Sequence, residues 1–90
     1  MTHEMTTTLP GSEVLLRAKA FFQERSPHQA AFVEKEGGTY AVFRGRGGEE
    51  LALAVLSAER GTRVRASTMY FDQAIGRFFS TLPAALEQTS

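Results

Sequence analysis

The sequence predicts an α+β domain: an antiparallel sheet of four strands, five if the opening residues join it, with two helices on one face, in the order (β)αββββα. Three observations carry that prediction. Apolar residues recur at helical spacing in two segments, one near each end of the chain. Between them, from His28 to Phe71, the apolar period falls to two. That middle stretch is cut by glycine-bearing turns at spacings that suit hairpins.

His3, Met5, Thr7 and Leu9 alternate with Thr and Glu, a pattern compatible with a short edge strand before the Pro10-Gly11 break. The polar ends, residues 1–8 and 87–90, otherwise read as frayed. Ser12 stands where an N-cap belongs and Glu13 places a carboxylate in a first turn. Val14, Leu15, Ala18, Phe21 and Phe22 then mark a helix over 13–25. Ser26-Pro27 stops it, because proline cannot continue the hydrogen-bond ladder and disfavours a helical residue before it.

Gln29 to Glu36, Gly37-Gly38 and Thr39 to Arg44 form a predicted hairpin, the glycine pair supplying the positive φ angles of a two-residue turn. A tight turn sets Phe32 opposite Phe43 and Val33 opposite Val42. Gly45-Arg46-Gly47-Gly48 leads to a third strand, Glu50 to Glu59, and Arg60-Gly61 turns it into a fourth, Thr62 to Phe71. This second turn pairs Val55 with Ala66, Leu53 with Thr68 and Leu51 with Tyr70. Asp72 is expected to cap the last helix, whose stripe is Ile75, Phe78, Phe79 and Leu82. Pro83 interrupts it, and Ala84 to Gln88 are expected to add a further turn with Leu86 buried.

A strand's two faces exchange on a one-residue slip, so the register sorts the side chains into two sets. One set, Phe32, Ala41, Phe43, Leu51, Leu53, Val55, Val64, Ala66 and Tyr70, is the better core. The other holds Val33, Lys35, Tyr40, Val42, Arg44, Ala52, Ala54, Leu56, Arg63 and Arg65. It is too apolar for an ordinary solvated face and too charged for a second core.

Ninety residues suit a single domain, which at this size buries about 60–65% of the surface of its unfolded chain. There are no cysteines, so disulfides and thiolate metal sites are excluded, and stability must come from a 42% apolar composition with seven Phe. The start of the chain lacks a basic region followed by an apolar run, and no stretch reaches the ~20 apolar residues of a membrane span. A cytoplasmic protein without membrane partners is expected. Ten basic and ten acidic residues cancel, which removes any global attraction for nucleic acid and favours self-association.

Gly61-Thr62-Arg63-Val64-Arg65, running through a strand into Phe71-Asp72-Gln73-Ala74-Ile75-Gly76-Arg77-Phe78-Phe79, resembles the last-strand-to-helix junction of the helix-grip superfamily. That superfamily includes the START, Bet v 1-like and polyketide cyclase proteins. The opening strand to Leu9 and the helix entry at Pro10-Gly11-Ser12-Glu13-Val14 resemble its start. The resemblance implies an apolar ligand between sheet and terminal helix, in a pocket bounded by Phe32, Phe43, Tyr70, Phe78, Phe79 and Leu82. The chain departs from the family in having fewer strands and a shorter last helix.

Catalysis needs a nucleophile, a base or a metal cluster, and the residues offer none in a recognisable pattern. His3 and His28 have no partner at helical spacing, Ser67 and Thr68 have no base nearby, and Asp72 is most simply a cap. No cofactor is expected. Gly45-Arg46-Gly47-Gly48 joins strand to strand, whereas phosphate loops open a helix. Arg44, Arg46, Arg60, Arg63 and Arg65 with Tyr40 could form a basic patch around two neighbouring turns, but acidic residues lie beside nearly every arginine. The expected function is therefore a non-enzymatic interaction module. Its interface would be Val33, Tyr40, Val42, Ala54, Leu56, Arg63, Arg65 and Met69, serving a homodimer or a protein partner. A small apolar ligand and nucleic acid are the alternatives, in that order.

Overall fold

A computed structural model of the protein describes residues 1–24 and 30–85. Seven elements follow one another: β1 (Thr2–Thr7), α1 (Gly11–Gln23), β2 (Ala31–Glu36), β3 (Tyr40–Gly45), β4 (Glu50–Ala58), β5 (Gly61–Thr68) and α2 (Asp72–Ser80). The strands form one antiparallel sheet in the order β1-β5-β4-β3-β2. Four consecutive strands pair as hairpins and the first strand joins the far edge, so the α+β class and the element order agree with the sequence reading. No described residue from 30 to 70 is helical.

Both helices cover the same face. Val14, Leu15, Ala18 and Phe22 of α1 and Ala74, Ile75 and Phe78 of α2 share one core with Ala41, Phe43, Leu51, Leu53, Val55, Val64 and Ala66 of the sheet. The 3.6-residue stripes meet the inward half of a period-two pattern, which is the physical content of the two-layer architecture. The three buried threonines are satisfied: Thr7 Oγ1 donates to Pro83 O at 2.6 Å, Thr62 Oγ1 to Leu9 O at 2.7 Å and Thr68 Oγ1 to Glu50 O at 2.8 Å. No buried side-chain nitrogen or oxygen among the described residues lacks a partner.

The opening strand that the alternation of His3, Met5 and Thr7 allowed is present: residues 2–7 are not frayed but form β1, pairing Thr2 with Ser67, Glu4 with Arg65 and Thr6 with Arg63. The free side of β1 is itself partly covered, because the chain beyond α2 returns along it. Thr8 N–H donates to Pro83 O at 3.2 Å, Ala85 N–H donates to Thr6 O at 2.9 Å, and Thr7 bridges Ala84. Ala84 and Ala85 therefore add no helical turn. At the other edge, β2 carries a bulge at Glu34 and the charges of Glu34, Lys35 and Glu36. Bulges and charges both discourage further strand pairing.

That bulge corrects the first hairpin. Phe32 pairs with Arg44 and Val33 with Phe43; beyond the bulge Lys35 pairs with Val42 and Glu36 with Ala41. Directly opposed residues share a face, so Val33 packs against the core and Phe32 turns to the other side, the reverse of the sequence-based assignment. The turn spans Gly37, Gly38 and Thr39, and positive φ falls on Gly48 and Gly61 instead. Gly37 is required for space: a Cβ there would lie 2.4 Å from the Tyr40 ring.

In the second hairpin the pairs are Val55 with Val64, Leu53 with Ala66 and Leu51 with Thr68, two residues from the expected register. A shift of two preserves the faces, so the core assignment of these strands stands. Tyr70 lies past the strand and is 71% exposed. Gly61, at φ +145°, marks where β5 meets β1; a Cβ there would fall 2.0 Å from Thr7 O.

The helix ends also differ. Gly11 opens α1 with Pro10 at the N-cap, and Phe71 precedes α2, so neither Ser12 nor Asp72 caps a helix. The expectations for Arg25, Ser26-Pro27, His28, Leu86 and residues 87–90 lie outside the described residues.

Candidate functional site: the outer face of the sheet

Alternation along β4 sets the character of the face opposite the helices. Leu51, Leu53 and Val55 point inward and are buried, leaving Glu50, Ala52, Ala54 and Leu56 outward. β3 adds Tyr40, Val42 and Arg44, β5 adds Arg63, Arg65 and Ser67, β1 adds Thr2, Glu4 and Thr6, and the bulge adds Phe32. Cross-strand rungs run Glu4–Arg65–Ala54–Tyr40 and Thr2–Ser67–Ala52–Val42. The centre is thus small and apolar, and larger apolar groups stand around it: Leu56 is 57% exposed, Phe32 51% and Met69 78%.

The arginines on this face are paired within the chain. Glu4 lies 3.3 Å from both Arg63 and Arg65. Arg44 donates from Nε and Nη2 to Glu34 at 3.1 and 2.8 Å, reaches Glu50 at 3.8 Å and donates to Gly48 O at 2.9 Å. The hydrogen bond and charge of Glu34 hold the guanidinium more firmly protonated than usual. Such exposed pairs contribute little stability individually, but they fix long side chains in place around the apolar centre.

At one end of the face a groove of about 460 Å3 opens, lined among others by Met1, Arg44, Glu50, Ala52, Met69 and Tyr70. Thr68 builds this end. Its Oγ1 accepts from Tyr70 N–H at 3.3 Å and from Phe71 N–H at 3.2 Å, turning the chain from strand to helix. Met1 N–H donates to Thr68 O, and Thr68 N–H donates to Met1 O at 2.9 Å.

The residues expected to bound a pocket between helix and sheet are not brought together. Phe43, Phe78 and Leu82 are buried in the core and Phe79 packs against it, whereas Phe32 and Tyr70 are exposed outside it. Rings occupy the intervening space: Phe22 stands 5.4 Å from Phe43 and 5.6 Å from Phe78, and Phe21 stands 5.5 Å from Phe78. Both helices lie on one face of the sheet, and among the described residues these aromatic rings pack against one another there.

Of the eight residues expected at the interface, Tyr40, Val42, Ala54, Leu56, Arg63 and Arg65 share the outer face. Met69 lies at its end, and Val33 belongs to the core side. Phe32 replaces it. The bulge that exchanges the two leaves no mark in the alternation of Phe32 and Val33, although the charged run Glu34-Lys35-Glu36 is where an edge irregularity belongs.

The arginine patch does not assemble. Arg46 precedes β4 and Arg60 follows it, so their turns lie at opposite ends of a nine-residue strand, roughly 30 Å apart. The Gly45–Gly48 loop joins β3 to β4 and its amides serve the chain itself. Gly47 N–H donates to Glu49 Oε1 at 3.1 Å, Gly45 N–H to Glu49 O at 2.7 Å and Gly48 N–H to Gly45 O at 3.0 Å. A carboxylate already stands where a phosphate would have to approach.

Asp72, read as a cap, instead binds His3. The imidazole Nε2 lies 2.7 Å from Asp72 Oδ1, and the N-terminal ammonium is 3.9 Å away. The His3 hydrogen bond, with help from that ammonium, holds the Asp72 carboxyl below the usual aspartate range. This pair joins β1 to α2. No cluster of three metal-ligating side chains occurs among the described residues, and none of their helices is long and apolar enough to cross a membrane. No family model, curated protein or solved structure matches the chain.

Proposed function

We propose that the protein is a non-enzymatic interaction module, acting in the cytoplasm, that associates through the outer face of its sheet. One observation carries the reading: the central strand turns Ala52, Ala54 and Leu56 away from the core, beside Tyr40 and Val42, and no layer among the described residues covers them. Apolar patches of more than a few hundred Å2 on soluble domains mark contact surfaces. The arrangement has the anatomy of one, an apolar centre inside a rim of charged and hydrogen-bonding groups. A photo-crosslinking residue at Ala54, introduced into the full chain in cells, is expected to give adducts. The same residue at Leu16, exposed on α1, is expected to give none. Adducts of equal yield at both positions, or none at either, would refute the reading.

A second reading, binding of a small apolar ligand, is favoured by the groove beside Met69 and Tyr70, whose volume lies within the range of ligand sites. Under it, a fluorescent acyl probe binds the native chain and loses affinity with Met69→Lys.

A further inference from the structure

We infer that the occupant of the outer face is a second copy of this chain, packed sheet to sheet about a twofold axis parallel to β4. The inference rests on the reading of that face as an interface and adds the identity of the partner.

Size is the first argument. Five strands of six to nine residues, about 4.8 Å apart and rising about 3.3 Å per residue, give a flat footprint of roughly 550 Å2. A standard protein interface takes about 800 Å2 from each partner. The face, taken whole with Met69 and Tyr70 at its end, approaches the smaller stable dimers and has room for one partner only. Relief is the second. Ala52 and Ala54 leave the middle of the face low, so two sheets can approach to the ~10 Å spacing of stacked layers.

Charge is the third. The face carries Lys35, Arg44, Arg63 and Arg65 against Glu4, Glu34 and Glu50, with each of its arginines paired in its own chain. It therefore neither repels its own copy nor presents the one-signed field that would select a highly charged partner. A twofold axis along β4 lays β5 of one copy over β3 of the other at the same height. Arg65, on the rung of Ala54 and Tyr40, then comes over the Tyr40 ring of the second copy, a cation–π arrangement. Ser67 comes over Val42 of the second copy and no arginine is brought onto another; Glu50, on the axis strand, meets its own counterpart, and Arg44 at 3.8 Å in each copy offsets the like charges.

Sedimentation equilibrium of the full chain is expected to give twice its 9.9 kDa, falling to the monomer mass on dilution. Ala54→Glu is expected to yield a folded monomer, since Arg65 directly opposite pairs with the new carboxylate within the sheet. Leu16→Glu is expected to remain dimeric, and Tyr40→Ala to weaken association about a hundredfold, because the twofold axis makes the cation–π contact twice and both are lost. Should Ala54→Glu fail to fold, the absence of native cysteine supplies a second route. Ala54→Cys is expected to be joined to its counterpart by a short bismaleimide linker, which spans the ~10 Å between stacked sheets, and Leu16→Cys is not. A dimer unaffected by Ala54→Glu and not trapped by Ala54→Cys would overturn both the inference and the interface reading. A monomer at every concentration overturns the second copy; if its Ala54 crosslinks to a different protein in cells, the interface reading survives alone.

Discussion

The two faces of the sheet are built from the same strands and both are rich in apolar groups, yet they differ in the size of what they carry. Inward, β4 offers Leu51, Leu53 and Val55, with Phe43 and Val64 beside them, all buried under two helices. Outward, it offers Ala52 and Ala54, half-buried, between tyrosine, valine and paired arginines. An inward face must fill a volume, so large side chains interdigitate and each lost methylene is felt. The outward face has no volume of its own to fill. Its small centre and tall margin leave a shallow apolar surface between charged side chains.

The comparison is broken most severely by truncating one face and then the other at adjacent positions. Phe43→Ala is expected to cost about 3–5 kcal/mol in urea unfolding, because its ring packs on Phe22 in a full core. Val42→Ala, one residue away and outward, is expected to cost less than about 1 kcal/mol, since a partly exposed side chain leaves no sealed cavity. Equal losses would mean that the two faces are not energetically distinct.

Gly61→Ala attacks both faces at the seam where β1 joins. It forces a Cβ into a positive-φ backbone and onto Thr7 O, and about 2 kcal/mol or more is expected to be lost. Amide exchange should show protection falling across Thr2–Thr7 before the hairpins. Thr68→Val removes one acceptor and one donor at the end of the outer face, where the loss is expected to be about 1–3 kcal/mol. A neutral result there would mean that water replaces the hydroxyl.

The smallest effect concerns the tie between β1 and α2. Asp72 has a lowered pKa in the fold, so its contribution is present above the unfolded-state value and disappears as pH falls through the folded one. Asp72→Asn is therefore expected to be slightly less stable than the native chain at neutral pH. The difference should close as pH drops below about 4. A gap that widened in acid would reverse the assigned sign.

Much of this architecture could be read from the chain because period is robust to small errors of register. The β4–β5 hairpin shows it: a misplacement of two residues leaves every side chain on its proper face. The β2–β3 hairpin shows the opposite. A single inserted residue at Glu34 exchanged Phe32 and Val33, and with them one member of the interface and one of the imagined pocket. Long-range ties were not legible at all. His3 and Asp72 are 69 positions apart, and nothing local in either segment announces the other. The same holds for β1, whose Thr-rich alternation becomes a strand because β5 has a free edge beside it. The outer face was visible as an anomaly of composition, and the sheet order then placed six of the eight expected residues together on it.

The return of the chain along β1 has a mechanical consequence. The segment after α2 runs antiparallel to β1, with Ala85 bonded to Thr6, while Met1 lies at the strand's other end beside Thr68. Tension applied between the first residue and residue 85 therefore acts along β1, not across it. The bonds of β1 to β5 are loaded together, in shear, and must rupture as a group, whereas those to residues 83–85 peel one at a time from Ala85. A strand pulled across its length would instead unzip one bond at a time. Pulled from residue 1, β1 should part from β5 late and abruptly, after the returning segment has peeled away.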